Sequence, residues 1–273
     1  MGPCRIVSLY SGSGGNCIYL KLLGTTILID AGKSARTLCN SLREIGSDIG
    51  EVDAIFVTHD HRDHVSALEV LAKKNEIPIH MTDQSAALFD RDPTAYVHRR
   101  LIRHAPLFEE QVGPLTIRSF CTPHDSRMSV GYRVSFSHEG KDYAVGVATD
   151  IGYVSEQVRE GLSGCSAVVL ESNHDEQMLM EGPYPYELKK RIRSRRGHLS
   201  NRDSAALAAD LAECGTQAFL LVHLSEENNE PSLAWDEAQS ALSGRAVTVS
   251  VASPDLPTEL LWEPRKEKSY AHS

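Results

Sequence analysis

The chain has 273 residues, 41% hydrophobic and 24% charged, which suits a globular protein of one large domain or two small ones. No apolar run approaches the roughly eighteen residues of a membrane span, and residues 1–9 lack the basic segment and apolar core of a secretory signal. A net charge of -9 excludes blanket attraction to nucleic acid or anionic lipid but leaves room for a local basic groove.

Residues 4–9, 17–22 and 26–30 read as strands, separated by Ser11-Gly12-Ser13-Gly14-Gly15 and by Gly24. A helix is expected over 34–45, with Leu38, Leu42 and Ile45 on one face. Residues 54–58 form a continuous apolar strand, 65–72 have helical spacing, and 78–81 is another short strand. Further strands are expected at 115–120, 131–136, 143–148, 167–170, 219–222 and 246–251. Helices fit 186–195, 204–214 and 233–242, with Ser200 and Asp203 resembling a capping box and Gly215 a helix stop. About ten strands interleaved with helices in both halves suggest two sheets packed face to face with helices outside. With no linker and no shift in composition, 1–262 reads as one domain, followed by a charged tail at 263–273 expected to fray. Cys4, Cys17, Cys39, Cys121, Cys165 and Cys214 are scattered without metal or disulfide spacing, as expected of reduced, buried thiols in the cytoplasm.

Twelve histidines stand out. Three of them, with two aspartates, crowd into His59-Asp60-His61-Arg62-Asp63-His64 at the exit of a buried strand. Histidines at i and i+2 of an extended segment project to one side, so His59 and His61 converge on one ion. Asp63 and His64 fall in the turn before the next helix, within reach of a second. The bland alternative is a solvated polar loop. His124, Asp150 and His223 each follow an expected strand. Five histidines and two aspartates together could fill two adjacent positions for zinc, manganese or iron, the arrangement of a two-metal hydrolase. His80, His98, His104, His138 and His272 carry no motif.

The His-x-His-x-Asp-His run followed by His124, Asp150 and His223 resembles the metallo-β-lactamase fold superfamily. The resemblance implies an α/β architecture, a four-layer αββα sandwich with metals along one sheet edge. It implies that His59, His61 and His124 hold one ion, that Asp63, His64 and His223 hold the other, and that Asp150 bridges them. Glu171, after an expected strand, and His198, in Gly197-His198-Leu199-Ser200-Asn201, are not needed for those ligand sets. They match the proton relay of the tRNase Z branch, and phosphodiester cleavage does require an acid for the departing alkoxide. The alternative is a local cap or a surface ion pair.

The short 124–150 segment leaves no room for the tRNA-gripping arm of tRNase Z, and 150–223 is too short for the inserted domain of the β-CASP nucleases. Classical β-lactamases are exported and commonly carry a cysteine where Asp150 stands. With 11–17, 171–175, 197–201 and 223–229, the chain looks most like the compact bacterial WalJ/YycJ-type nucleases, which implies exonucleolytic DNA processing. The expected chemistry is attack by a hydroxide bridging two ions, with Asp63 accepting its hydrogen bond and His198, oriented by Glu171, protonating the leaving oxygen. A small-molecule hydrolase of the same superfamily, acting on a thioester, lactone or cyclic phosphodiester, is the competing class. A non-catalytic binding protein that keeps its metals for stability is a third. Lys189, Lys190, Arg191, Arg193, Arg195 and Arg196 place six cations in eight residues before His198, either a phosphate-binding surface or a solvated helical face. Arg193 and Arg195, with Ser11, Asn16, Asn228 and Asn229, are candidate substrate contacts. The residues assign no membrane partner and no oligomeric state.

Overall fold

A computed structural model describes residues 4–263. The tail expected to fray lies, apart from Glu263, outside them. In the first sheet β1 (Cys4–Tyr10), β2 (Cys17–Leu22) and β3 (Thr25–Ile29) run antiparallel. β4 (Ala54–Phe56), β5 (Ile79–Thr82) and β6 (Leu101–His104) then continue it in parallel from β3. The second sheet repeats this plan. β7 (Glu109–Val112), β8 (Leu115–Cys121), β9 (Val130–His138) and β10 (Lys141–Ala148) are antiparallel, and β11 (Ala167–Glu171), β12 (Ala218–Val222) and β13 (Thr248–Val251) add in parallel. β14 (Thr258–Leu260) returns to pair with β1.

Alternation within single strands builds the layers. Ile27, Phe56, Val169 and Leu220 point into the core between the sheets, where they meet Tyr132 and Val134. Their neighbours Leu28 and Ile55 turn outward under α1 (Ala35–Glu44) and α3 (Leu68–Lys74). On the opposite side Val168 and Phe219 lie under α5 (Glu156–Leu162), α8 (Asn201–Glu213) and α9 (Pro231–Ala241). The result is the expected four-layer αββα sandwich. The Tyr132 hydroxyl donates to the Val57 carbonyl at 2.6 Å, tying the two sheets together beside the histidine run.

Among the described residues fourteen strands replace the expected ten or so, and the three without a sequence signal, β6, β7 and β14, all lie at sheet edges. Edge strands bury little and carry charge, so no apolar run marks them. The single helix expected over 65–72 is instead two, α2 (Arg62–Val65) and α3, so Asp63 and His64 sit in a helical turn rather than before one. α7 (Tyr186–Ile192) ends three residues short of 195, which places Arg193 and Arg195 beyond its last turn. α4 (Asp83–Ala86), α5 and α6 (Glu176–Glu181) carried no sequence signal. The cap reading at α8 agrees with the structure: Ser200 Oγ accepts from the Asp203 amide at 3.1 Å, and Gly215 follows at φ +102°.

Candidate active site

Strand direction gathers the polar residues. β8, β10, β11 and β12 point the same way, so His124, Asp150, Glu171 and His223 emerge at one edge of the second sheet. The parallel pair β3 and β4 delivers Asp30 and the His59–His64 run to the facing edge of the first. His59, His61 and His124 bring one ligand atom each within 4.8 Å of one another, and so do Asp63, His64 and His223. Asp150 lies between the sets, with Oδ1 3.6 Å from Nε2 of both His124 and His223 and Oδ2 3.3 Å from His64 Nε2.

Four of these rings have Nδ1 occupied. His64 Nδ1 donates to Asp30 Oδ2 at 2.8 Å, and His223 Nδ1 donates to Glu171 Oε1 at 2.9 Å. His124 Nδ1 donates to the Gly197 carbonyl at 3.1 Å. Thr58 Oγ1 gives its proton to Asp30 and therefore accepts from His59 Nδ1 at 3.0 Å. Each neutral ring is thereby left with its Nε2 lone pair facing inward, the tautomer that holds a metal. His59 Nε2, His223 Nε2 and Asp150 Oδ2 are buried without a hydrogen-bond partner, which is costly unless an ion satisfies them. Imidazole and carboxylate donors in this number fit divalent metals.

The electrostatics agree. Burial holds His59 and His124 below the usual histidine range. Burial also opposes charge on His223, yet Asp150, Asp63 and Glu171 lift it to about 10, the field of a site made for positive charge. Burial raises the Asp63 carboxyl, but the imidazoles of His223 and His64, 3.9 and 3.3 Å from its Oδ2, outweigh it and hold the group well below the usual carboxylate range.

Glu171, fully buried, also accepts from His198 Nδ1 at 2.8 Å, while its Oε2 accepts the amides of Ile151 and Leu199 at 2.8 and 3.0 Å. Burial raises Glu171, but the charge and hydrogen bonds of His198 and His223 draw it down to about 2. His198 keeps 20% of its side chain exposed and lines a cleft of about 180 Å³ with Ser13, Asp125, Tyr184, Leu188 and Arg191.

Four of the expected substrate contacts are internal instead. Ser11 Oγ accepts the His223 amide at 2.7 Å. Asn16 is 4% exposed and reaches Asp63 Oδ2 at 3.3 Å and His64 Nε2 at 3.1 Å. Asn228 bonds Ser225, and Asn229 joins a buried network with Asn201 and the Ser172 carbonyl. Side chains beside a motif also satisfy the backbone of their loops, as Ser11, Asn16 and Asn229 do here. Of the cations, Lys189 is spent on the carbonyls of Met180 and Gly182, and Arg191 bonds Asp125 at 2.6 Å. Arg193 and Arg195 are exposed, Arg195 lying over the Tyr153 ring. Asp30 escaped the sequence reading. Its signal was a carboxylate closing the apolar strand that pairs with the one feeding the histidines.

The beta-lactamase superfamily domain matches residues 25–224. The chain is 32% identical to exodeoxyribonuclease YycJ of Bacillus anthracis, over 92% of this chain and 96% of that protein. Identity to exodeoxyribonuclease WalJ of Streptococcus pneumoniae is also 32%, over 92% and 95%. The metallo-beta-lactamase fold protein YhfI of Bacillus subtilis superposes with a TM-score of 0.70 at 18% identity, covering 94% of this chain and 99% of that one. The chain therefore belongs to the beta-lactamase superfamily, in the family of the YycJ and WalJ proteins.

Proposed function

We propose that this protein is a metal-dependent exonuclease that hydrolyses the phosphodiester bonds of DNA in the cytoplasm. The observation that carries the reading is the Glu171–His198 pair, 2.8 Å apart, set beside a ligand cluster that does not need it. In this reading His59, His61 and His124 would hold one divalent ion and Asp63, His64 and His223 a second, with Asp150 available to either, and zinc, manganese or iron would suit these donors. Bound there, the ions supply activation of water and neutralisation of phosphoryl charge. Asp63 accepts a hydrogen bond from the attacking water. Glu171 fixes the His198 ring through Nδ1, and the doubly protonated ring gives its Nε2 proton to the leaving oxygen.

Kinship with proteins named exodeoxyribonucleases over nearly the whole chain favours a polynucleotide over a thioester, lactone or cyclic phosphodiester. The presence of an acid argues against the thioester alone, because a thiolate leaves without protonation, whereas the other classes release an alkoxide that requires it. Six free cysteines suit a reducing compartment, and no helix among the described residues is long and apolar enough to cross a membrane.

His198→Ala should retain the metal content of the wild type and lose about 10²–10⁴-fold in turnover of end-labelled DNA. Full activity in that variant would remove His198 from the chemistry. Hydrolysis of DNA that persisted undiminished in Asp63→Ala would remove the metal centre as well.

A further inference from the structure

Apart from the candidate active site, one more group of metal-ligating side chains comes together among the described residues: His80, His104 and Glu110. His80 stands on β5, His104 ends β6 and Glu110 stands on β7. β6 and β7 are edge strands of different sheets, so the cluster straddles the place where the chain passes from one sheet to the other.

His80 Nδ1 lies 3.0 Å from His104 Nε2 and 3.9 Å from Glu110 Oε2. Glu110 Oε1 accepts from the Gln111 amide, which leaves Oε2 for the histidines. Phenyl rings hold both imidazoles: Phe56 stacks on His80 at 4.5 Å and Phe108 on His104 at 3.9 Å. His80 is 3% exposed, whereas the Glu110 side chain is 34% exposed, so the cluster opens to solvent on the carboxylate side. Burial holds both histidines below their ordinary range, and neutral imidazoles are the form that binds metal.

A shared proton satisfies the two nitrogens but does not draw in Glu110 Oε2, 3.9 Å from His80 Nδ1. A divalent ion satisfies all three. Bonds of about 2.0–2.1 Å in a tetrahedral shell space neighbouring ligand atoms about 3.3 Å apart, a spacing that the 3.0 Å and 3.9 Å separations from His80 Nδ1 bracket, with all three atoms within 4.8 Å of one another. Two imidazoles and one carboxylate select a borderline transition ion of the zinc class over magnesium or calcium, which favour oxygen ligands.

We propose that His80, His104 and Glu110 bind a divalent ion of the zinc class that clamps β6 to β7, at a site separate from the candidate active site. The fourth position is left to water, and the ion joins the edge strands of the two sheets. His104→Gln removes one ligand at a half-buried position. His80→Phe removes another while keeping the aromatic stack. Glu110→Gln changes only charge.

Each protein is loaded with zinc, desalted and assayed for zinc per chain by mass spectrometry. The expected result is one ion fewer in folded His104→Gln and His80→Phe than in the wild type. Glu110→Gln should bind the same ion at least about tenfold more weakly. Zinc equal to wild type in folded His104→Gln or His80→Phe overturns the proposal, as does an affinity unchanged in zinc titration of Glu110→Gln. So does a variant that loses zinc only together with hydrolysis of DNA, because the missing ion would then belong to the active site. Asp63→Ala, which should lose zinc at the other centre, separates failure of this site from failure of that one.

Discussion

At the scale of single residues, the groups around the ligands carry as much of the design as the ligands. Asp30 is 3% exposed and held at φ +66°, and the other two site residues with positive φ, Asp150 and His223, share this strained geometry. Such strain persists only where surrounding contacts fix it, and Asp30 has three: the Thr58 amide at 2.8 Å, the Thr58 hydroxyl at 2.9 Å and His64 Nδ1 at 2.8 Å. One carboxylate thus orients His64 directly and His59 through Thr58. Asp30→Asn keeps the shape but offers one acceptor oxygen instead of two. It should weaken binding at the Asp63, His64 and His223 set by about 10–100-fold while leaving the protein folded. Metal titration followed by calorimetry measures this, and unchanged affinity would reduce Asp30 to a partner of the Thr58 backbone. The ligands themselves were legible because their residue types and spacing are chemical. Asp30 was not, since a lone carboxylate at a strand end has no pattern of its own.

Elements differ in how openly the sequence declares them. The central strands β3, β4, β11 and β12 bury both faces, and each carries a run of at least three consecutive apolar residues. β7, with its Glu109, Glu110 and Gln111, has an alternating exposed pattern and no such run. The segment through α7 is a second case, where charge was legible but its use was not. Of its cations, Lys189 and Arg191 are tied to neighbours, whereas Arg193 and Arg195 lie beyond the helix with exposed side chains. Gly197 closes this segment tightly, since a Cβ there would meet the Ile192 carbonyl oxygen at 2.0 Å, and so the basic turn is fixed beside His198. Arg193→Glu with Arg195→Glu should weaken binding of DNA and lower the slope of log affinity against log salt by up to about 2, one for each phosphate no longer neutralised. Turnover at saturating substrate should hold. Affinity unchanged at low salt would make these arginines an ordinary solvated surface.

On the scale of the whole molecule, the candidate centre is a seam. His59, His61, Asp63 and His64 come from the first sheet, and His124, Asp150 and His223 come from the second. Ions bound by these residues would therefore cross-link the halves of the sandwich, which otherwise adhere through the apolar layer around Phe56, Tyr132 and Leu220. Without ions, the second half must keep Asp150 and His223, 2% and 4% exposed, with buried atoms unsatisfied. Metal present at a hundred times its dissociation constant stabilises the folded state by about 2.7 kcal/mol per site. For a protein of this size each kcal/mol moves the melting temperature by about 2–4 °C. Chelation should thus lower the melting temperature by roughly 5–10 °C for each site emptied. The measurement belongs in the His104→Gln background, where the edge cluster contributes nothing and the whole shift comes from the seam. Melting that is indifferent to chelator in that background would mean that the sandwich holds the seven residues in place without help from an ion.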